Sequence, residues 1–203
     1  RPVSSAASDV YKRQSPRSHY GIHPQKQEGF SYAGLHVPVG RLKASDLQDL
    51  ATASLNYGNG EVRLTEEQNA IIVGISNDKI ESFKSDTLLK RFPIQPQGVS
   101  AGTVSCTGST YCGFALTNTK DTALMVAEKL DAELDLPKHV KIQWTGCPNN
   151  CGQADMGSIG LTGTKAKDNE GVMGEGYTMT IGGSQGPNPS LGEINRKAIP
   201  ADE

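Results

Sequence analysis

Cys106-Thr107-Gly108-Ser109-Thr110-Tyr111-Cys112 and Cys147-Pro148-Asn149-Asn150-Cys151 contain every cysteine of the chain, as one C-x₅-C and one C-x₃-C pair. Each pair follows a short strand-like run, Thr103 to Ser105 before the first and Val140, Ile142 and Trp144 before the second. Gly108 and Gly113 flank the first pair and Gly146, Pro148 and Gly152 the second, so each leaves its strand as a tight loop. Two close pairs in one half of the chain do not resemble a disulfide lattice. They suit a reducing compartment and a shared metal site. The residues leave a choice between structural zinc and an iron–sulfur cluster. Zinc knuckles usually use C-x₂₋₄-C, which C-x₅-C fits poorly, whereas a cluster is wider than one ion. Convergence on a cluster requires both loops at adjacent strand ends on one side of a sheet.

Outward from these loops, helix and strand signals alternate. A helix from about Leu116 to Leu134 would place Leu116, Ala123, Ala127, Leu130 and Leu134 on one stripe. Tyr177, Met179 and Ile181 alternate as in a half-buried strand, and the glycine-rich, charged stretch Gly163 to Gly176 reads as a surface loop. Upstream, Pro93 to Gly98 is the candidate boundary with an earlier small α/β unit. There, Val37-Pro38-Val39 reads as an edge strand or strand start. Ser45, with Gln48 three residues on, predicts a capped helix with Leu47, Leu50, Ala51, Ser54 and Leu55 inward and a stop at Gly58. Glu61 to Thr65 and Ala70 to Ile75 predict strands. A second helix is predicted from Asp78 to Lys90, with Ile80, Phe83, Thr87 and Leu88 inward.

The composition excludes several classes. With 35% hydrophobic and 21% charged residues the 203-residue chain is of ordinary globular type, and a net charge of −2 leaves no nucleic-acid footprint. No run of about twenty apolar residues is present to span a membrane. Residues 1–14 (RPVSSAASDVYKRQ) lack periodicity, and Asp9 to Gln14 resembles a translated sequencing adapter, so they read as a non-native leader. Pro200 to Glu203 reads as a turn that native sequence should follow.

Ser105 to Cys112, together with Trp144-Thr145-Gly146-Cys147-Pro148-Asn149-Asn150-Cys151-Gly152-Gln153, resembles the signature of the sirohaem-dependent nitrite and sulfite reductase family. The resemblance extends through His23 to Gln27, Gly34 to Arg41 and Arg63 to Asn69, and covers nearly all of residues 20–200. It implies an α/β (α+β) fold: a ferredoxin-like half-domain over 15–97, then a mixed-sheet sirohaem and [4Fe–4S] domain over 98–203. It further implies that Cys106, Cys112, Cys147 and Cys151 bind a [4Fe–4S] cluster, with Cys151 also the axial bridge to the sirohaem iron. Cys-Thr-Gly at 106–108 and Cys-Gly-Gln at 151–153 are similar to the ferredoxin–nitrite reductase branch. Sulfite reductases more often carry Pro-Thr before the second cysteine and Gly before the fourth, where this chain has Thr110-Tyr111 and Asn150. Asn150 departs from the small residue expected in nitrite reductases, and its amide would crowd or hydrogen-bond the bridging sulfur.

The implied activity is reduction of nitrite to ammonium with electrons from ferredoxin, in a protein monomeric when full length, in plastid stroma or bacterial cytoplasm. The implied anion-gripping Arg and Lys come mainly from an N-terminal half absent here. The chain therefore reads as an inactive C-terminal-half fragment, without a nameable catalytic acid or base. Sulfite reductase is the alternative within the family. A non-catalytic Cys₄ iron–sulfur or zinc module is the alternative outside it. His19, His23, His36 and His139 lack ligand spacing and read as structural, and Trp144 reads as core. Lys26, Arg41, Lys43 and Arg63 are candidate partners for sirohaem carboxylates, solvated or structural pairing being the expected fate of most. Gly182-Gly183-Ser184-Gln185-Gly186 is not a dinucleotide fingerprint.

Overall fold

Ala70-Ile71-Ile72-Val73-Gly74-Ile75-Ser76 forms a strand whose Ala70, Ile72, Val73 and Ile75 are buried, and the first of two units is built around it. The computed structural model describes residues 19–135, 140–185 and 188–203. Residues 19–104 with 126–135 make one compact unit, and 105–125 with the described residues from 140 onward make the other. The leader expected over residues 1–14 and His139 lie outside the described residues.

In the first unit β1 (Gly21–Pro24), β2 (Phe30–Leu35), β3 (Val62–Leu64) and β4 (Ala70–Ser76) form a four-stranded sheet in the order β1-β2-β4-β3, each pairing antiparallel. Helices α1 (Ala44–Tyr57) and α2 (Ile80–Lys84) pack Leu50, Ala53 and Phe83 against Ala33, Leu35, Ile72 and Ile75. Burial of these side chains is the main stabilising term, at about 1.5–3 kcal/mol for each large aliphatic or aromatic group.

The register of α1 differs from the sequence reading. Asp46, not Gln48, closes the capping box, its carboxylate accepting from the Lys43 backbone N–H at 2.8 Å. The inward stripe is accordingly Asp46, Leu50, Ala53 and Ser54. Leu47 and Leu55 face solvent, and Ala51 is exposed. Asp46 also accepts from Arg91 Nη1 at 2.6 Å, which makes its burial affordable. Asp46→Ala is expected to lower stability by about 1–2 kcal/mol, from the lost charged hydrogen bonds to Lys43 N–H and Arg91, read as a reduced urea midpoint with unchanged slope.

Three other expectations for this unit change. Val37-Pro38-Val39 is no strand: Pro38 opens a 3₁₀ turn over Pro38–Gly40, and Val39 sits at φ 45°. Strand β2 lies just before it, in a run that periodicity did not reveal. The helix expected over 78–90 breaks at Ser85. Asp86 is extended there and its carboxylate accepts from Leu88 N–H at 2.8 Å, restarting the chain as a 3₁₀ turn. Phe83 and Leu88 are buried as expected, while Thr87 points outward.

The second unit, with β5 (Thr103–Ser105) at its boundary, carries a mixed sheet in the order β5-β6-β7-β8-β9, with β6 (Ile142–Thr145), β7 (Ile159–Lys167), β8 (Met173–Ile181) and β9 (Glu193–Pro200). Strands β6 and β7 are parallel, and β7, β8 and β9 pair antiparallel. Every residue of β6 is buried, so Gln143 and Thr145 are as enclosed as Ile142 and Trp144. The expected surface loop over 163–176 is instead most of a nine-residue-strand hairpin, paired from Ile159↔Ile181 to Lys167↔Met173. Its turn is held by the Asp168 carboxylate, which accepts from Glu170 and Val172 N–H at 2.9 and 2.8 Å. Lys165 lies opposite Glu175, so the charges that suggested a loop are cross-strand neighbours. Alternation on β8 is imperfect: Tyr177 is buried and Ile181 exposed, with register shifts against β9 between them.

Helix α3 (Lys120–Glu133) starts later than Leu116 because the backbone before it is already hydrogen-bonded to other segments. Leu116 N–H donates to Gly146 O at 2.7 Å, and Thr117 O accepts from Ser109 N–H at 2.9 Å. Ala123 and Ala127 are buried, while Leu134 is exposed.

Candidate metal centre

Strand β5 delivers Cys106, and β6 delivers Cys147 after Gly146. The strand ends are directly bonded: Cys106 N–H donates to Trp144 O at 3.0 Å. Gly146 N–H donates to Cys106 Sγ at 3.1 Å, a contact that stabilises negative charge on the sulfur. A Cβ on Gly152 would stand 3.4 Å from Cys106 N. Cys106 therefore touches the residues flanking both Cys147 and Cys151. The two strand ends that carry the loops are adjacent, as expected.

Cys112 closes the first loop by its N–H to Gly108 O at 3.0 Å, and its carbonyl accepts from Ala115 N–H at 3.2 Å. Ala115 then packs towards Gly146, the position of a Cβ there lying 2.9 Å from Ala115 Cβ. The strip from Ala115 to Thr119 thus lies along both loops. All four cysteines are free thiols; Cys106 and Cys112 are half-buried, Cys147 is buried and Cys151 exposed.

The second loop is two successive turns, with Asn150 N–H on Cys147 O at 3.2 Å and Gln153 N–H on Asn150 O at 2.9 Å. Asn150 and Gln153 both occupy left-handed conformations, φ 56° and 54°. Asn tolerates that region better than most side chains. The Asn150 amide does not turn to a sulfur. Its Nδ2 donates to Asp155 at 3.0 Å and its Oδ1 accepts from Ala154 N–H at 2.7 Å, so it braces the following 3₁₀ turn.

Behind the loops, Trp144 stacks edge-on against Tyr177, ring centroids 5.1 Å apart. Tyr177 donates to Asn118 O at 2.5 Å, and burial pushes its phenol pKa upward. Trp144 is core. Among the described residues no three His, Cys, Asp or Glu side chains stand close enough to hold a single ion. The four thiols are soft donors, and the C-x₅-C spacing of the first pair is wider than zinc knuckles use.

The remaining sequence candidates among the described residues lie in the first unit. His36 is buried beside Tyr20, whose hydroxyl donates to Ala101 O at 2.8 Å and accepts from Asn69 Nδ2 at 3.0 Å. Burial raises the Tyr20 pKa to about 12. His23 contacts Tyr20 O at 2.7 Å and stacks near Tyr32, and His19 also approaches the Tyr32 ring. Lys26 and Arg63 line a cavity of about 420 Å³ floored by Tyr32, Ile71 and Val73. Arg63 is paired with Glu61 at 2.7 Å, and Lys43 serves as the N-cap of α1. Sequence reasoning passed over Thr119, which touches the first cysteine loop. A lone threonine at a helix start carries no signal of such a contact.

The domain family described as "Nitrite and sulphite reductase 4Fe-4S domain" matches residues 100–203, and the one described as "Nitrite/Sulfite reductase ferredoxin-like half domain" matches residues 23–88. Ferredoxin–nitrite reductase of Synechococcus elongatus is 49% identical over 192 residues, 95% of this chain and 37% of that protein. The chloroplastic ferredoxin–nitrite reductase of Oryza sativa is 43% identical over 194 residues, 96% and 33% of the two chains. The assimilatory ferredoxin-dependent nitrite reductase of Haloferax mediterranei is 36% identical over 206 residues, covering all of this chain and 33% of the other. The chain spans about a third of the length of the curated relatives it matches. The solved structure of the Mycobacterium tuberculosis NirA protein superposes with a TM-score of 0.80 at 22% identity, over 92% of this chain and 35% of that one. That likeness is one of fold.

Proposed function

The chain belongs to the nitrite and sulfite reductase family, and on that premise we propose that it is the cofactor-binding part of a ferredoxin-dependent assimilatory nitrite reductase. In this reading Cys106, Cys112, Cys147 and Cys151 hold a [4Fe–4S] cluster, and the Cys151 thiolate is shared with the iron of a sirohaem. Residues 15–97 serve as the ferredoxin-like half-domain and residues 98–203 as the cofactor domain. Bound there, the two cofactors supply electron storage and the iron at which nitrite is reduced to ammonium, with ferredoxin as donor.

The observation that carries the reading is the placement of Cys106 against the neighbours of both Cys147 and Cys151. The protein's own contribution is ligation and restraint. Gly146 N–H offsets charge on the Cys106 sulfur, buried Cys147 anchors the second loop, and exposed Cys151 would be accessible to a second iron. Among the described residues no helix is long and apolar enough to cross a membrane. The proposed place in plastid stroma or bacterial cytoplasm rests on relatives such as the chloroplastic enzyme of Oryza sativa and that of Synechococcus elongatus.

The test uses the intact native protein. Metal analysis should find iron with acid-labile sulfide, the visible spectrum should show a chlorin-like band, and reduced ferredoxin should support nitrite turnover well above sulfite turnover. Stoichiometric zinc without iron would assign the cysteines to a structural module. Faster sulfite reduction would move the protein to the other branch of the family.

A further inference from the structure

Thr119 stands outside the four-cysteine set yet holds it from behind. It is fully buried, and its Oγ1 donates to Cys106 O at 2.7 Å while lying 3.8 Å from Cys106 Sγ. Gly108, at φ 72°, passes so close that a Cβ there would be 2.5 Å from Thr119 Oγ1 and 2.6 Å from Thr119 N. On its other side Thr119 Cγ2 faces Gly146, 3.4 Å from where a Cβ would be. Gly146 is the residue whose N–H reaches the Cys106 sulfur. Ala123 N–H donates to Thr119 O at 2.8 Å, so all these contacts are anchored in α3. One side chain thus meets both cysteine loops.

We propose that Thr119 is a positioning residue for the cluster: its hydroxyl locks the Cys106 loop and tunes the cluster's reduction potential through Cys106. A metal-bound thiolate has no proton of its own, so hydrogen bonds at its sulfur come only from surrounding donors. Gly146 N–H is one such donor, and the Thr119 O–H, given to Cys106 O, holds the loop that presents the sulfur to it. A reduced cluster carries one more negative charge than an oxidised one, and donors near its sulfurs favour the reduced form. The inference rests on Cys106 being a cluster ligand.

Thr119→Val keeps the branched shape and methyl but removes the hydroxyl. Thr119→Ser keeps the hydroxyl and removes the methyl that faces Gly146. In the full-length protein, iron and labile sulfide would be measured first, then the cluster midpoint potential by spectroscopic redox titration. The expected result is a more negative potential, or loss of cluster, in Thr119→Val, with Thr119→Ser at the wild-type value. An unchanged potential in Thr119→Val, or a change in Thr119→Ser as large as in Thr119→Val, would overturn the proposal. A wild-type protein without iron–sulfur signals would instead remove the ligand assignment on which it stands.

Discussion

Cys151→Ser is expected to extinguish nitrite turnover in the full-length protein and to disturb the cluster and sirohaem spectra together. One thiolate is proposed to serve two irons, and a serine hydroxyl is a harder, poorer ligand for both. Loss of cofactor affinity should exceed the roughly 10- to 100-fold that changes in outer-shell partners cost. Cys106→Ser is the informative comparison. Cys106 sits half-buried under Gly146, so its replacement should affect the cluster first and the macrocycle only as a consequence. Visible spectra and iron content of the two variants, side by side, decide the point: a normal sirohaem spectrum with a normal cluster in Cys151→Ser would end the bridging assignment.

Gly152→Ala should have the second-largest effect. A methyl at this position falls on the Trp144 carbonyl, lying 2.8 Å from its carbon and 3.4 Å from Cys106 N, and every one of those atoms is backbone. No side-chain rotation relieves such contacts, so either β6 or the loop carrying Cys151 must move, at about 1–3 kcal/mol. The variant should bind less iron and unfold at lower temperature. Gly113→Ala is the control, because nothing lies within 4 Å of a Cβ there. If Gly152→Ala retained full iron occupancy, the second loop would have slack that this packing denies.

The cysteine pattern exposed the site because ligand type and spacing are local properties. The strands before Cys106 and Cys147 were equally legible, as were strands β3 and β4 of the first unit. What escaped depends on partners distant in sequence. Nothing near Asp46 announces that Arg91 will compensate its carboxylate and shift the face of α1 by a step. The charged residues of 163–176 mimic a loop until Lys165 meets Glu175 and Asp168 closes the turn. Leu116 looks like the first turn of a helix, but its N–H is taken by Gly146, thirty residues away along the chain. Asn150 was expected to influence a sulfur. Its left-handed backbone and its bonds to Asp155 and Ala154 make it a brace instead.

Parallel neighbours in a sheet need a crossover of about a dozen or more residues, ordinarily filled by a helix. Between Thr145 and Ile159 that crossover is made instead by the Cys147–Cys151 loop and the short turn Ala154–Met156. The segment is near the minimum that joins β6 to β7, so the distance from one strand to the next and the placement of two thiols are set by the same few residues. Length is therefore the quantity this part of the gene must conserve: a codon lost there would break the strand connection and the thiol spacing at once, whereas the hairpin tip at Asp168–Val172 is free to grow or shrink.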